Sequence, residues 1–150
     1  MIQPERRSLL VVEDGDEYAE FARLFLADGF EVHGTRTAEQ ALAALRDTAP
    51  DALLLDLRFD RTPPADLLGD VGDVAERLFG GDRTRALRYL QDQQGALILG
   101  ALRGAGCDAP AVFVHDFPPR RLQNLQRLYG RVTAVASFDA AAIRAALEAR

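Results

Sequence analysis

The sequence predicts a doubly wound α/β fold, a five-stranded parallel sheet in the order 2-1-3-4-5 with helices on both faces and an extra helical insertion. Three observations lead there. Five short strand-like runs alternate with stretches of helical periodicity. The first and third runs are continuously apolar, as strands buried on both faces are. Both of these end in carboxylates: "SLLVVEDGDEY" places Glu13 and Asp14 directly behind an apolar run, and "LLLDLRF" places Asp56 behind three leucines.

Residues 8–13 form the first strand. Asp16 then caps a helix reaching about Ala27, with Tyr18, Phe21, Ala22 and Phe25 on one face and Gly29 closing it. "FEVHGT" alternates as a second strand, where His33 is a surface residue. Thr37 and Gln40, three residues apart, form a capping-box pattern that opens a helix through Ala41, Leu42 and Leu45. Pro50 separates that helix from the third strand, "DALLLDL". "APAVFVHDF" (109–117) and "RVTAVASF" (131–138) supply the fourth and fifth. Helices follow each, from about Arg120 to Tyr129 and from Asp139, an N-cap, to the C-terminus.

A chain of 150 residues, 48% hydrophobic and 27% charged, is long enough for one well-buried core and short for two, so a single domain over 1–150 is expected. The net charge of −5 argues against nucleic acid or an anionic membrane as partner, because both attract a basic surface. No apolar run approaches the ~20 residues that span a bilayer, and "MIQPERRS" lacks the apolar centre of a signal peptide. A cytoplasmic location is expected. Cys107 is the single cysteine, which excludes an intramolecular disulfide and a cysteine metal cluster; it reads as a small, partly buried residue. All 18 basic residues are arginine. Mechanisms that need a lysine are therefore excluded.

In a doubly wound sheet the ligand site lies beyond the carboxyl ends of the strands, where strand order reverses. The first and third strands flank that point, so Glu13, Asp14 and Asp56 can converge there. Converging carboxylates raise one another's pKa unless a cation neutralises them, and oxygen-only ligands suit Mg²⁺.

After Asp56 comes a long insertion, about 59–93. "DVGDVAERLFGG" sets Val71, Val74, Ala75 and Leu78 at helical spacing, and Asp82 caps a second helix through Ala86, Leu87 and Leu90 that runs on past Gly95 toward Leu97, Ile98 and Ala101. "RTPPADLLGD", stiffened by two prolines, is the expected hinge. The insertion starts just after Asp56 and should border the acidic site; its apolar stripe has to bury against the domain's own third helix or another chain. Arg77, Arg83, Arg85 and Arg88, interspersed with acidic residues, read as a solvated mixed-charge surface.

"LLVVEDGDEYAEFARLFLADGFEV" and "TAEQALAALRDTAPDALLLDL", with residues 94–117 and 131–149 less closely, resemble the receiver domain of two-component response regulators, which shares the flavodoxin-like strand order. The resemblance implies that Glu13 and Asp14 are an acidic metal-holding pair, that Asp56 accepts a phosphoryl group, and that the backbone carbonyl of Arg58 joins Asp56 as a Mg²⁺ ligand. It also exposes departures. The fourth strand of that family ends in a serine or threonine; here His115 stands there. A lysine followed by proline ends the fifth; here the residues are Ala136 and Ser137. An ammonium aimed at a transferring phosphoryl group supplies much of its electrostatic stabilisation, so phosphorylation of a chain without it should be slow and weakly sensed. His115 could be a metal ligand or a proton-sensitive gate beside Asp56, whose charge would raise its pKa, or a histidine satisfied by loop carbonyls or water.

Rival enzyme patterns fit less well. Asp14 and Asp16 have the spacing of haloacid-dehalogenase-type phosphatases, but those need a later lysine. "DLRFD" separates its aspartates by three residues where toprim-type nucleases need one. "EDGDE" would repel phosphate where a flavodoxin-like site needs a phosphate cradle. The sequence thus points to an atypical receiver-like signalling domain, a protein-interaction module rather than a turnover enzyme, with residual Mg²⁺-dependent phosphorylation at Asp56. A fully phospho-responsive regulator and a Mg²⁺-dependent phosphoryl-transfer enzyme are the alternatives. A histidine kinase or a downstream signalling protein is the expected partner, and a second copy of the chain is a further candidate.

Overall fold

A computed structural model describes residues 6–149. Its five strands, β1 (Arg7–Val12), β2 (Phe30–Thr35), β3 (Ala52–Leu55), β4 (Ala111–Val114) and β5 (Val132–Val135), form one parallel sheet in the order β2-β1-β3-β4-β5. That is the order expected from sequence. Six α-helices connect and cover them: α1 (Glu17–Phe25), α2 (Ala38–Asp47), α3 (Val71–Leu78), α4 (Arg83–Gly104), α5 (Pro119–Tyr129) and α6 (Ala140–Glu148). The extreme N-terminal residues, read above as lacking a signal peptide, and Arg150 lie outside the described residues.

Strand pleat divides the apolar residues between two cores. Leu9, Val11, Ala52, Leu54 and Val112 face α1 and α6, where they meet Ala22, Leu26, Ile143 and Leu147. Leu10, Val12, Leu53, Leu55, Ala111 and Phe113 face the other layer, where Ala41, Ile98, Leu99, Leu102 and Leu125 cover them. Each fully buried leucine contributes roughly 2 kcal/mol of transfer free energy, so the two central strands anchor the fold.

The helix ends follow local chemistry, with two corrections. Thr37, Asp70, Asp82 and Asp139 accept backbone N–H groups at their helix starts, at 2.8 to 3.1 Å. Asp16 makes no such bond; its carboxylate turns to Arg36 instead. The buried face of α1 is Tyr18, Ala19 and Ala22, whereas Phe25, expected on that face, is exposed. Gly29 does close the turn, its N–H donating to the Leu26 carbonyl at 3.1 Å.

The segment read from sequence as an insertion, about 59–93, packs against the core of the same sheet. Ala75 of α3 is buried, and Val71 and Val74 lie against the α4 side of the core; Leu78 remains exposed. The helix begun at Asp82 runs unbroken through Gly95 to Gly104. At Gly95 it touches the chain leaving β3: Gly95 N donates to Leu57 O at 2.9 Å, and Phe59 N donates to Gln91 O at 2.8 Å. A Cβ at Gly95 would overlap the Asp56 carbonyl oxygen, so glycine permits this approach. Buried Gln94 fixes the loop above, accepting from Leu68 N at 2.7 Å and donating to Leu68 O at 3.2 Å.

The opposite, amino end of the sheet is held by Arg103. Its guanidinium donates to the carbonyls of Tyr129, Cys107, Ala109 and Arg131 at 2.7 to 3.2 Å. Burial lowers its pKa, but four carbonyl acceptors satisfy its donors. Cys107 beside it is buried, as a small apolar residue would be.

Candidate functional site

The acidic residues gather at the carboxyl edge of β1 and β3. Continuation of the β1–β3 ladder, with Asp56 N donating to Val12 O at 2.9 Å, sets Asp56 next to the start of the β1 loop. Glu13 is 2% exposed, and both its oxygens are committed: Oε1 accepts from Tyr18 N at 3.0 Å and Oε2 from Ala19 N at 2.8 Å. Those N–H groups are in the first turn of α1, so Glu13 does the capping that Asp16 was expected to do. Burial pushes its carboxyl up to about 7, against the pull of the two N–H donors.

Asp14 points its side chain, 2% exposed, toward the insertion. Arg61 meets it there. The Arg61 backbone N–H donates to Asp14 Oδ2 at 2.9 Å and its Nη2 donates to Oδ1 at 3.3 Å. The same guanidinium forks onto Glu17, with Nη1 to Oε1 at 3.0 Å and Nη2 to Oε2 at 3.1 Å. Arg61 holds the Glu17 carboxyl down near about 2, and the carboxylates in turn raise the guanidinium's pKa. Sequence reading did not single out Arg61 or Glu17.

Asp56 is half-buried. Its Oδ1 lies 3.3 Å from the Tyr18 hydroxyl, which lies 3.2 Å from the Val114 carbonyl as well. One phenolic proton serves two acceptors. Desolvation, and then the charge of Asp14, push the Asp56 carboxyl up to about 6; the same surroundings raise the Tyr18 phenol. Sequence periodicity places Tyr18 on the apolar face of α1 and gives it no part in the site. Its position on the first turn of a helix that starts beside Glu13 was the available signal.

His115 and Ala136, the residues that the resemblance sets at the switch positions, differ from this cluster in chemistry. His115 is half-buried, edge-on to Phe117 at 4.6 Å between centroids. Burial lowers its pKa, and Arg58 and Arg121 lower it further, so the rise expected from a neighbouring carboxylate does not occur. Ala136, just past β5, is exposed and brings no polar side chain. Phe138, two residues on, stacks edge-to-face on Tyr18 at 4.9 Å.

In kind, Asp14, Asp56 and the Arg58 carbonyl are hard oxygen donors, as a divalent cation needs. Two of the acidic residues are engaged within the chain: Glu13 on the start of α1 and Asp14 on Arg61. Among the described residues no group of three or more His, Cys, Asp or Glu side chains is arranged to hold a metal ion.

No protein-family model matches the sequence, and no curated protein matches it. Solved structures do. The receiver domain of NtrX from Brucella abortus is similar at a TM-score of 0.60 and 20% identity, over 95% of this chain and 99% of that one. The chain has the receiver fold. A longer NtrX structure from the same organism aligns at a TM-score of 0.61 and 19% identity; 96% of this chain is covered, but it spans only 28% of that one. A response regulator from Burkholderia pseudomallei, solved with a phosphorylated aspartic acid, a calcium ion and citrate, aligns at a TM-score of 0.62 and 14% identity over 95% of this chain and 66% of its own. What these proteins share with the chain is the receiver fold. Among the described residues no helix is long and apolar enough to cross a membrane.

Proposed function

We propose that the chain is an atypical receiver-like signalling domain that works mainly as a protein-interaction module, with Asp56 as the phosphoacceptor position. The observation that carries this reading is the mismatch between the two halves of its site. Carboxylates are gathered at the carboxyl edge of a receiver fold, Asp14 close enough to raise the pKa of Asp56. The positions that would sense a phosphoryl group carry His115 and Ala136, neither a hydroxyl nor an ammonium.

Mg²⁺ is the cation this site would take, through Asp14, Asp56 and the Arg58 carbonyl, and it would supply charge neutralisation at the phosphoryl oxygens. Glu13 serves from behind, holding the start of α1 in place. Tyr18 donates to Asp56 and keeps one of its oxygens engaged. A module with these parts presents a fixed surface to a histidine kinase or a downstream signalling protein more readily than it turns a substrate over. Incubation with a small acyl-phosphate donor and Mg²⁺ should leave most of the protein at its unmodified mass, as slow, residual phosphorylation of Asp56 requires. A stable mass increase that Asp56→Asn abolishes would show a phospho-responsive regulator instead.

A further inference from the structure

Four carboxylates, Glu13, Asp14, Glu17 and Asp56, crowd the carboxyl edge, and one cation from within the chain already lies on two of them. Arg61 arrives from the insertion, five residues beyond Asp56, and takes both oxygens of Asp14, one through its backbone N–H and one through its guanidinium. The fork onto Glu17 orients the guanidinium plane, a bidentate geometry that arginine provides and lysine does not. The chain makes room for it: a Cβ at Gly15 would overlap Arg61 Nη2 and come within 2.8 Å of Cζ.

The frame around Arg61 is firm while its own side chain is not enclosed. Upstream, Leu57 and Phe59 are hydrogen-bonded to α4; downstream, Thr62 is buried and Gln94 holds Leu68. The Arg61 side chain itself is 56% exposed, so it has a path into solvent. With its backbone held by its neighbours and its paired guanidinium open to water, Arg61 can exchange the carboxylates for solvent without the loop unfolding.

We propose that Arg61 is a built-in counter-cation of the acidic site, which competes with a divalent metal for Asp14, so that metal enters only when Arg61 is displaced. This rests on the reading of Asp14 and Asp56 as the cation-binding residues. The insertion thereby sets the metal requirement of the domain: whatever draws Arg61 away, an acidic surface on a partner for instance, opens the site.

Titration with Mg²⁺ by calorimetry should give an affinity roughly three- to tenfold tighter for Arg61→Gln than for the natural chain, the weight of the guanidinium charge on Asp14 alone, because the backbone N–H bond to Asp14 remains in the variant. In the natural chain, saturating Mg²⁺ should accelerate hydrogen exchange at the Arg61 amide, which loses its bond to Asp14. Equal affinity in the two proteins overturns the proposal, and so does Mg²⁺ binding that leaves the Arg61 amide protected. If Arg61→Gln does not fold, the exchange measurement on the natural chain decides alone. Adding Asp14→Asn to Arg61→Gln should abolish binding. Retention of Mg²⁺ there, or its absence from every protein tested, overturns the reading of the site itself along with the counter-cation.

Discussion

Glu13 shows how one side chain can be placed by sequence while its hydrogen-bond partners stay unseen. Its position behind an apolar strand was plain, and so was its charge. The partners were not, because the start of α1 was assigned to a cap at Asp16, and the N–H groups of Tyr18 and Ala19 then had no claim on Glu13. Its burial has a pH consequence. The carboxyl rises from 4.5 to about 7 on folding, so between those values the folded chain binds a proton that the unfolded chain has released. Stability therefore falls as pH rises through that window. Asp56 acts in the same direction between 3.8 and about 6. Glu17 is lowered and acts oppositely, its contribution lost only as pH falls from 4.5 toward about 2, and its exposure makes that contribution small. Thermal denaturation across pH should show higher melting near pH 5 than near pH 8, with Glu13 accounting for on the order of 2 kcal/mol. Glu13→Gln should flatten most of that slope. An unchanged slope would mean that Glu13 is not the titrating group.

At the scale of elements, the insertion separates what periodicity reveals from what it leaves open. The spacing of Val71, Val74, Ala75 and Leu78 identifies a helix, and Asp82 caps the next one as expected; the cap at Asp70 was not singled out. Periodicity does not say what an apolar stripe faces. Here α4 extends far enough toward its N-terminus to receive most of α3, so the stripe is spent within the domain and only Leu78 stays in solvent. The two ends of the stripe should then respond differently. Val74→Asp should cost about 2–3 kcal/mol in urea denaturation, because a carboxylate would replace a methyl pair against the core. Leu78→Asp should change stability by less than ~0.5 kcal/mol. If sedimentation shows that Leu78→Asp alters the oligomeric state, the exposed end of α3 is a docking point.

For the whole molecule, the sheet order was readable because β1 and β3 are continuous apolar runs, which fixes them as central, and because strands and helices alternate through the chain. Strand ends then placed Glu13, Asp14 and Asp56 on one edge. What no local pattern shows is which distant residue answers them: Arg61 and Tyr18 reach the site through the return of a loop and the pitch of a helix. Gly95 of α4 touches the chain directly beyond Asp56, its N–H donating to Leu57 O, and is where a coupling between α4 and the site would run. Gly95→Ala should destabilise the protein by about 3 kcal/mol or more, since both colliding groups are backbone. Even under conditions where that variant stays folded, its Asp56 and Arg61 amide resonances should shift while those of α6 do not. Uniform shifts across the sheet would place the coupling elsewhere.

The pair of hydrogen bonds that joins Leu57 and Phe59 to Gln91 and Gly95 also means that the inserted segment leaves and re-enters the domain at a single doorway. Residues 60 to 90 form a detour whose two ends already stand side by side. A chain spliced across that doorway would keep every strand in register and would lose α3, the first turns of α4 and Arg61 together. Such a splice would also empty the core positions of Leu67 and Leu90, so the counter-charge of the acidic edge and part of the core that supports it are carried by one segment.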